Sequence, residues 1–252
     1  MQIVGYETAP GEGPAALRVA DAGTIDHITL APTTELAYSL ADRHCAGVDR
    51  GDDGHQPCQR PDAPYCDAHT SVWPCARCTG DCDKPLDACE EEHAVYLAAF
   101  APDVFKVGVT RSWRLDTRLR EQGADRAAHV HTVADGRRAR RIEAGIADRI
   151  TDRVRVPTKR RGLGATLDRT AWRDLVSDFD PIDEFDFDYG LDVDSRPVAE
   201  TMLTGTVRAT KGRLLVLDRR ETTYGVDMRA LVGHEITPGA DDRDRQASLT
   251  AF

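Results

Sequence analysis

The sequence predicts an α+β protein in which a cysteine-rich loop region precedes a small antiparallel sheet flanked by helices, with small β-units at both termini. Three observations predict this arrangement. Short apolar runs rich in β-forming residues lie near both ends, residues 43–93 hold all seven cysteines and few aliphatic residues, and strand and helix patterns alternate in the centre. A chain of 252 residues with 40% hydrophobic residues can bury more than one core.

Changes in composition divide the chain into six segments. Both terminal β-segments have a strand, turn and strand pattern with a similarly placed glycine, Gly5 and Gly205, so we expect related β-units that form one barrel. The segments are an N-terminal β segment (1–42), a cysteine and histidine cluster (43–93), an α/β domain (94–180), an acidic linker (181–199), a C-terminal β unit (200–237) and a polar tail (238–252).

The α/β domain begins with a predicted hairpin, because two β-rich runs, VYLAAF and FKVGVT, flank a short turn. A helix should follow, with Ser112 as N-cap and Gly123 as its stop. The run AAHVHTVA predicts a strand, and RRARRIEAGIADRI and RTAWRDLVSDF predict two further helices. We expect Trp113 and Trp172 in the core or in an interface.

The cysteine-rich segment cannot fold on apolar burial alone, and its cysteine and histidine spacings are those of metal ligands. Pairs separated by two residues let one turn present two donors to a tetrahedral zinc ion. An odd number of cysteines in a reducing cytosol fits thiolate and imidazole ligation better than disulfides. We therefore expect two structural zinc ions, one bound by Cys45, Cys58, Cys66 and His69 and the other by Cys75, Cys78, Cys82 and Cys89, with His93 as the reserve ligand or as a replacement for Cys82.

The charge pattern is uneven. Residues 106–161 carry sixteen basic and seven acidic residues, a net charge of +9, which leaves −19 for the rest of the chain. Only four of the 33 basic residues are lysine, and this usage resembles proteins of salt-loving archaea, in which an acidic surface is ordinary. The basic island predicts a polyanion site, and its alternative is a set of arginines on solvated helix faces. The predicted nucleic-acid contacts are Arg111, Arg114, Arg137, Arg138, Arg141, Lys159 and Arg160.

The run HAVYLAAFAPDVFKVGVTRSWRLDTRLREQGADRAA, with the cysteine-rich segment before it and DRTAWRDL after it, resembles the family called domain of unknown function 2797. The resemblance covers about residues 43–180. Its motifs are H-x-VYLA, KVGVTR and R-x-x-x-QGA in that order. This family implies no particular activity.

The core of that run is in turn similar to the GIY-YIG nuclease superfamily. Residues 94–96 correspond to the first half of the motif and residues 106–108 to the second. The resemblance implies that Tyr96 activates water, Arg118 and Lys106 grip a phosphate, and Glu143 binds Mg²⁺. The sequence departs from the motif at Ala94, which replaces a glycine, and at Lys106, which replaces a tyrosine, so such a site can bind a phosphate without cutting it.

These observations favour a zinc-containing nucleic-acid-binding protein with a GIY-YIG-like core, with DNA and RNA both open as ligands. One alternative is a Mg²⁺-dependent endonuclease, and another is a zinc-stabilised scaffold for protein interactions. The N-terminus has no basic and apolar leader, and no run of eighteen apolar residues occurs, so we expect a cytoplasmic protein without a membrane span.

Overall fold

The structure is a computed structural model that describes residues 1–8, 13–70, 78–82, 87–193 and 195–240. Its two main sheets have nine and four strands, and helices cover the smaller one. The mixed α and β composition predicted from the sequence is confirmed, and strands dominate it. No helix in these residue ranges has both the length and the apolar character needed to cross a bilayer.

The nine-stranded sheet takes strands from both ends of the chain. Its N-terminal strands are β1 (Gln2–Glu7), β2 (Ala16–Asp21), β3 (Thr24–Thr29) and β4 (Glu35–Arg43). Its C-terminal strands are β11 (Val198–Ala199), β12 (Leu203–Lys211), β13 (Leu214–Arg219), β14 (Thr222–Asp227) and β15 (His234–Pro238), with the short helix α6 (Met228–Leu231) before the last.

The two sets of strands interleave. The order across the sheet is β11-β14-β13-β12-β4-β15-β1-β2-β3, so β4 lies between two C-terminal strands and β15 lies between two N-terminal ones. Strands from the two ends of the chain therefore form one sheet. Within the described residues the order is linear, with β11 and β3 at its two edges, which differs from the expected barrel. One core runs under the sheet and includes Ile3, Leu17, Leu203 and Ile236.

The elements of the central part of the chain are α1 (Asp87–Glu90), β7 (His93–Phe100), β8 (Val104–Arg111), α2 (Leu115–Gln122), β9 (Arg126–Val133), α3 (Gly136–Ala147), α4 (Val156–Arg161), α5 (Arg169–Val176) and β10 (Asp183–Asp186). Four of them form an antiparallel sheet with the order β10-β9-β7-β8. Strands β7 and β8 form the predicted hairpin. Alternate residues of the central strand β7 face two different cores: Val95 and Leu97 pack beneath α3 and α5, whereas Tyr96 and Ala98 pack beside α2.

Helix α2 ends as predicted but begins differently. Gly123 adopts a left-handed conformation with φ of 67°, and its N–H donates to the carbonyls of Arg120 and Leu119. Ser112 is not the N-cap: residues 112–114 form one turn of 3₁₀ helix, and the Ser112 hydroxyl is buried without a hydrogen-bond partner within the described residues. Arg114 therefore precedes the helix, with no side-chain cap.

The acidic stretch 181–199, predicted as a linker, contains two short strands, β10 and β11. Strand β10 pairs with β9, with Phe185 opposite Ala127. Phe185 and Phe187 pack against the core beside α2, and Asp186 pairs with Arg126. Alternation of phenylalanine with aspartate over residues 183–188 was the sequence signal for this strand, and the high density of acidic residues obscured it.

The two sheets meet at the turn between β12 and β13. Gly212 adopts φ of 54° there, and a Cβ at this position would lie 2.7 Å from the Glu121 carbonyl oxygen, so α2 packs directly on the turn. Beside it the Lys211 ammonium forms an ion pair with Asp125, whose second oxygen accepts from the Ala101 N–H at 2.8 Å. This pair joins the terminal strands to the α/β domain.

Candidate metal centre and central cleft

Four of the predicted ligands form one cluster. The ligand atoms of Cys45, Cys58, Cys66 and His69 all lie within 4.8 Å of one another. Cys45 Sγ and Cys66 Sγ are 3.3 and 3.5 Å from His69 Nδ1. A tetrahedral zinc ion with Zn–S of about 2.3 Å and Zn–N of about 2.0–2.1 Å places sulfur and nitrogen ligands about 3.5 Å apart. The cluster therefore fits zinc.

Local backbone bonds bring these ligands together. Cys45 follows β4, and its N–H donates to the Arg60 carbonyl at 2.8 Å. A hairpin of two short strands, β5 (Val48–Asp49) and β6 (His55–Gln56), carries the chain toward Cys58. The turn after Cys66 is closed by the N–H groups of His69 and Thr70, which both donate to the Cys66 carbonyl. Three cysteine sulfurs and one imidazole form a closed structural set, as expected for zinc.

The second predicted set is described only in part. Cys75, one of its four predicted ligands, lies outside the described residues. Cys78 Sγ and Cys82 Sγ are 3.9 Å apart, and two thiolates on one tetrahedral zinc would be about 3.8 Å apart. Cys89 is buried, and His93 Nδ1 bonds the Glu91 carbonyl at 2.7 Å. Among the described residues only the first cluster brings its ligand atoms within mutual reach.

The four residues that the GIY-YIG resemblance singles out line one cleft. The cleft has a volume of about 680 Å³ and runs beside β8, the edge strand of the small sheet. Tyr96 enters it from β7, Lys106 from β8, Arg118 from α2 and Glu143 from α3. Because β8 is an edge strand, side chains from the helices on both faces of the sheet reach the same cavity.

Tyr96 is held by its neighbours. It lies opposite Gly108 on β8, and its hydroxyl accepts a hydrogen bond from Gln122 Nε2. Burial raises the pKa of the Tyr96 phenol above its ordinary value, while the neighbouring Arg118 guanidinium and the Gln122 bond act in the opposite direction. A phenol with a raised pKa remains protonated near neutral pH and is suited to donating a hydrogen bond.

The charged groups of the cleft are partly paired. Arg118 bonds Glu121 at 3.1 Å on its own helix, and Glu143 accepts from Arg140 Nη1 at 2.7 Å. Lys106 forms no ion pair with any described residue. Burial, together with the nearby Arg118, lowers the pKa of Lys106 to about 8. The cleft thus contains a desolvated ammonium group that an anion could neutralise.

A second cavity of about 620 Å³ adjoins the first, since Arg118 lines both. It lies between α2, α4 and the terminal sheet and is lined by Lys159, Lys211 and Arg213 as well. Lys159 donates to the Gln122 carbonyl at 2.7 Å and forms no ion pair with a described carboxylate. Burial and the surrounding cations lower its pKa to about 7.

Some of the predicted nucleic-acid contacts line one of the two cavities, and the others line neither. Arg111, Arg114 and Arg137 line the central cleft, and Lys159 lines the second cavity. As far as the described residues show, Arg138, Arg141 and Arg160 line neither. Two further arginines of the cleft, Arg140 and Arg153, were missed by the sequence analysis. Arg140 had a signal, because residues 136, 140 and 143 share one face of α3 at helical spacing.

Replacing Gly108 by alanine should displace the Tyr96 ring. A Cβ at position 108 would lie 2.5 Å from both Cζ and the hydroxyl oxygen of Tyr96, which real Cβ contacts do not reach. Overpacking of this kind lowers the free energy of unfolding by about 1–3 kcal/mol. Urea denaturation measures the change.

The matched control is Gly145→Ala on α3, where an added Cβ meets nothing within 4 Å. It should raise the free energy of unfolding by about 0.5–1 kcal/mol through helix propensity alone. Equal stability of Gly108→Ala and the unchanged protein would show that the Tyr96 ring is not fixed against the strand.

Comparison with known proteins gives one match. The model of the family described as "Protein of unknown function (DUF2797)" matches residues 56–236, more than two thirds of the chain. No curated protein and no solved structure matches the sequence. The matched residues include the last three ligands of the zinc-compatible cluster and every residue that lines the central cleft. The chain therefore belongs to the DUF2797 family.

Proposed function

We propose that this protein binds nucleic acid and that the central cleft holds the phosphate groups. The observation that supports this is the convergence of Tyr96, Lys106, Arg118 and Glu143 on one cavity from four separate elements. The GIY-YIG resemblance identifies these four residues from sequence motifs, and their spacing along the chain does not by itself require them to meet.

The charge of the cleft supports the same ligand class. Seven basic residues line it against two acidic ones, Glu143 and Asp152, although the whole chain has a net charge of −10. Cationic clefts with low-dielectric walls concentrate anions. The second cavity continues the basic surface beyond Arg118, so a chain of phosphates has contacts on both sides of that residue. The basic residues of the cleft are Lys106, Arg111, Arg114, Arg118, Arg137, Arg140 and Arg153.

The test compares two neighbouring arginines of α2 by fluorescence anisotropy with labelled DNA and RNA oligonucleotides. Arg118→Ala should weaken binding by roughly 10- to 150-fold, since a hydrogen bond to a charged group contributes about 1.5–3 kcal/mol, and should reduce the salt slope of the affinity by about one. Arg120 pairs with Asp116 and lines neither cavity in the described structure, so Arg120→Ala should leave both quantities unchanged. Equal effects of the two variants would refute the assignment of the cleft.

The pH dependence of the affinity provides a second readout. Lys106 and Lys159 have pKa values of about 8 and about 7, so each is charged below its value and neutral above it. A bound phosphate favours the charged forms. Affinity should therefore be highest below pH 7 and fall as the pH rises through 8, because protons must then be taken up on binding.

A second candidate function is Mg²⁺-dependent cleavage of the bound strand. The observation that favours it is the Glu143 carboxylate, which lines the same cavity as the Tyr96 phenol and is 12% exposed. A carboxylate oxygen suits Mg²⁺, which here would compete with Arg140 for Glu143. The ion would stabilise the charge that develops on phosphorus oxygens during hydrolysis. Arg118 and Lys106 would bind the phosphate, and protonated Tyr96 would orient a water molecule.

Cleavage is tested with labelled DNA and RNA in molar KCl with and without Mg²⁺. If the protein is a nuclease, the unchanged chain should cut and Glu143→Gln should bind without cutting. If both proteins bind the strand and neither cleaves it, only the binding function is supported. Absence of both binding and cleavage would favour a scaffold for protein interactions.

We also propose a second zinc ion, held by Cys78 and Cys82 with Cys75, Cys89 and His93 as the remaining ligand candidates. The sulfur separation of 3.9 Å supports it. The loop is fixed to α3 because Arg137 Nε donates to the Cys82 carbonyl at 2.8 Å, and Arg137 also lines the cleft. Elemental analysis should find two zinc ions per chain, and a value of one would restrict the metal to the Cys45 cluster.

A further inference from the structure

Trp113 occupies an unusual position for a tryptophan. It lies in the 3₁₀ turn between β8 and α2, and 70% of its surface is exposed. The sequence analysis expected it in a core or an interface, and its exposure excludes the core. Trp172, by contrast, is 1% exposed and belongs to the core under α3 and α5.

The surroundings of the exposed indole are defined. Its Nε1–H donates to Glu91 Oε2 at 3.1 Å, which restricts the ring's rotation. The guanidinium carbons of Arg111 and Arg114 lie 5.9 and 5.8 Å from the ring centroid. Both arginines line the central cleft, so Trp113 lies beside two cationic side chains of that cleft.

We propose that Trp113 is a stacking platform for a base of single-stranded nucleic acid whose phosphates lie in the central cleft; this inference rests on the proposed function. An exposed aromatic ring beside cationic groups matches a nucleotide, because the ring stacks on the base and the guanidinium groups bind the adjacent phosphates. In a duplex the faces of the bases are covered by their neighbours. A free base face is available in an unpaired strand.

The inference is tested with two single strands of equal length and charge, one with bases and one abasic throughout. The unchanged protein should bind the base-bearing strand roughly 5- to 150-fold more tightly, the range that stacking on one aromatic residue gives. Trp113→Ala should bind both strands equally, and Trp113→Phe should recover most of the difference. Ile182→Ala is the matched control, since Ile182 is another exposed apolar residue, 59% exposed, outside the cleft lining.

The outcomes separate the two proposals. If Arg118→Ala weakens binding of both strands while Trp113→Ala changes neither, the nucleic-acid function stands and the stacking platform is refuted. Equal affinity of the unchanged protein for the base-bearing and abasic strands refutes the platform as well. If neither strand binds, both proposals fall. If the protein binds a duplex more tightly than the single strand, and Trp113→Ala keeps this preference, the ligand is a duplex and the stacking platform is refuted.

Discussion

Replacing Cys66 by alanine is expected to remove one zinc ion per chain and to unfold residues 45–70. Structural zinc sites contribute an apparent binding free energy of about 10–16 kcal/mol at pH 7, and this is folding free energy when the site does not exist in the unfolded chain. The whole stability of a typical domain is about 5–15 kcal/mol. A loop region with two two-residue strands cannot offset such a loss.

The effect should extend into the nine-stranded sheet. Tyr65 donates from its hydroxyl to the Val4 carbonyl at 3.1 Å, and the His44 N–H donates to the Gly233 carbonyl at 3.1 Å. These bonds join the ligand loops to β1 and to the residue before β15. Hydrogen exchange after chelation should therefore show lost protection in residues 45–70 first and in β1 and β15 next.

Elemental analysis and thermal unfolding measure the outcome. A second ligand variant, His69→Ala, allows a matched control, His131→Ala, in which the same substitution is made away from the cluster. His131 is exposed on β9 and belongs to no cluster of possible ligands in the described structure. His69→Ala should lower both zinc content and melting temperature, and His131→Ala should change neither. A stable His69→Ala protein with full zinc content would contradict the assignment of the ligands.

Residue types and one short spacing were sufficient to predict the first metal cluster, because cysteine and histidine are characteristic zinc ligands and a short turn sets the geometry of one ligand pair. Cys66 and His69 are three residues apart, and one turn presents both. The partner residues Cys45 and Cys58 are brought in by β4 and the β5–β6 hairpin. The residue types alone identified these two cysteines as ligands. No sequence pattern showed how the fold brings them next to Cys66 and His69.

The central cleft was predictable in part. The strand and helix patterns indicated where Tyr96, Lys106, Arg118 and Glu143 would lie on their elements. Their convergence depends on β8 being the edge strand, and strand order is a property of long-range packing that a single sequence does not display. The same reason explains why the second cavity was not predicted: it forms where α2 and α4 meet the terminal sheet.

Asp125→Asn should lower the free energy of unfolding by about 3 kcal/mol. The change leaves the Lys211 ammonium, which is 9% exposed, without its carboxylate partner. Breaking a buried ion pair by removing one member costs about 3–5 kcal/mol, and the lower end applies because the Asp125 side chain is 23% exposed. The asparagine oxygen can still accept a hydrogen bond from the Ala101 N–H. The loss of stability therefore measures the effect of removing the negative charge. Urea denaturation in molar KCl measures it.

The control applies the same substitution to a surface pair. Asp116 accepts from Arg120 at 2.8 Å at i,i+4 spacing on α2, and its side chain is 53% exposed. Asp116→Asn should lower stability by at most about 0.5 kcal/mol. Adding Lys211→Met to Asp125→Asn should recover part of the loss, because the unpaired charge is then gone. If Asp125→Asn and Asp116→Asn have equal effects on stability, the Lys211–Asp125 pair does not hold the terminal sheet to the α/β domain. The walls of the second cavity then depend on the packing of Gly212 against α2.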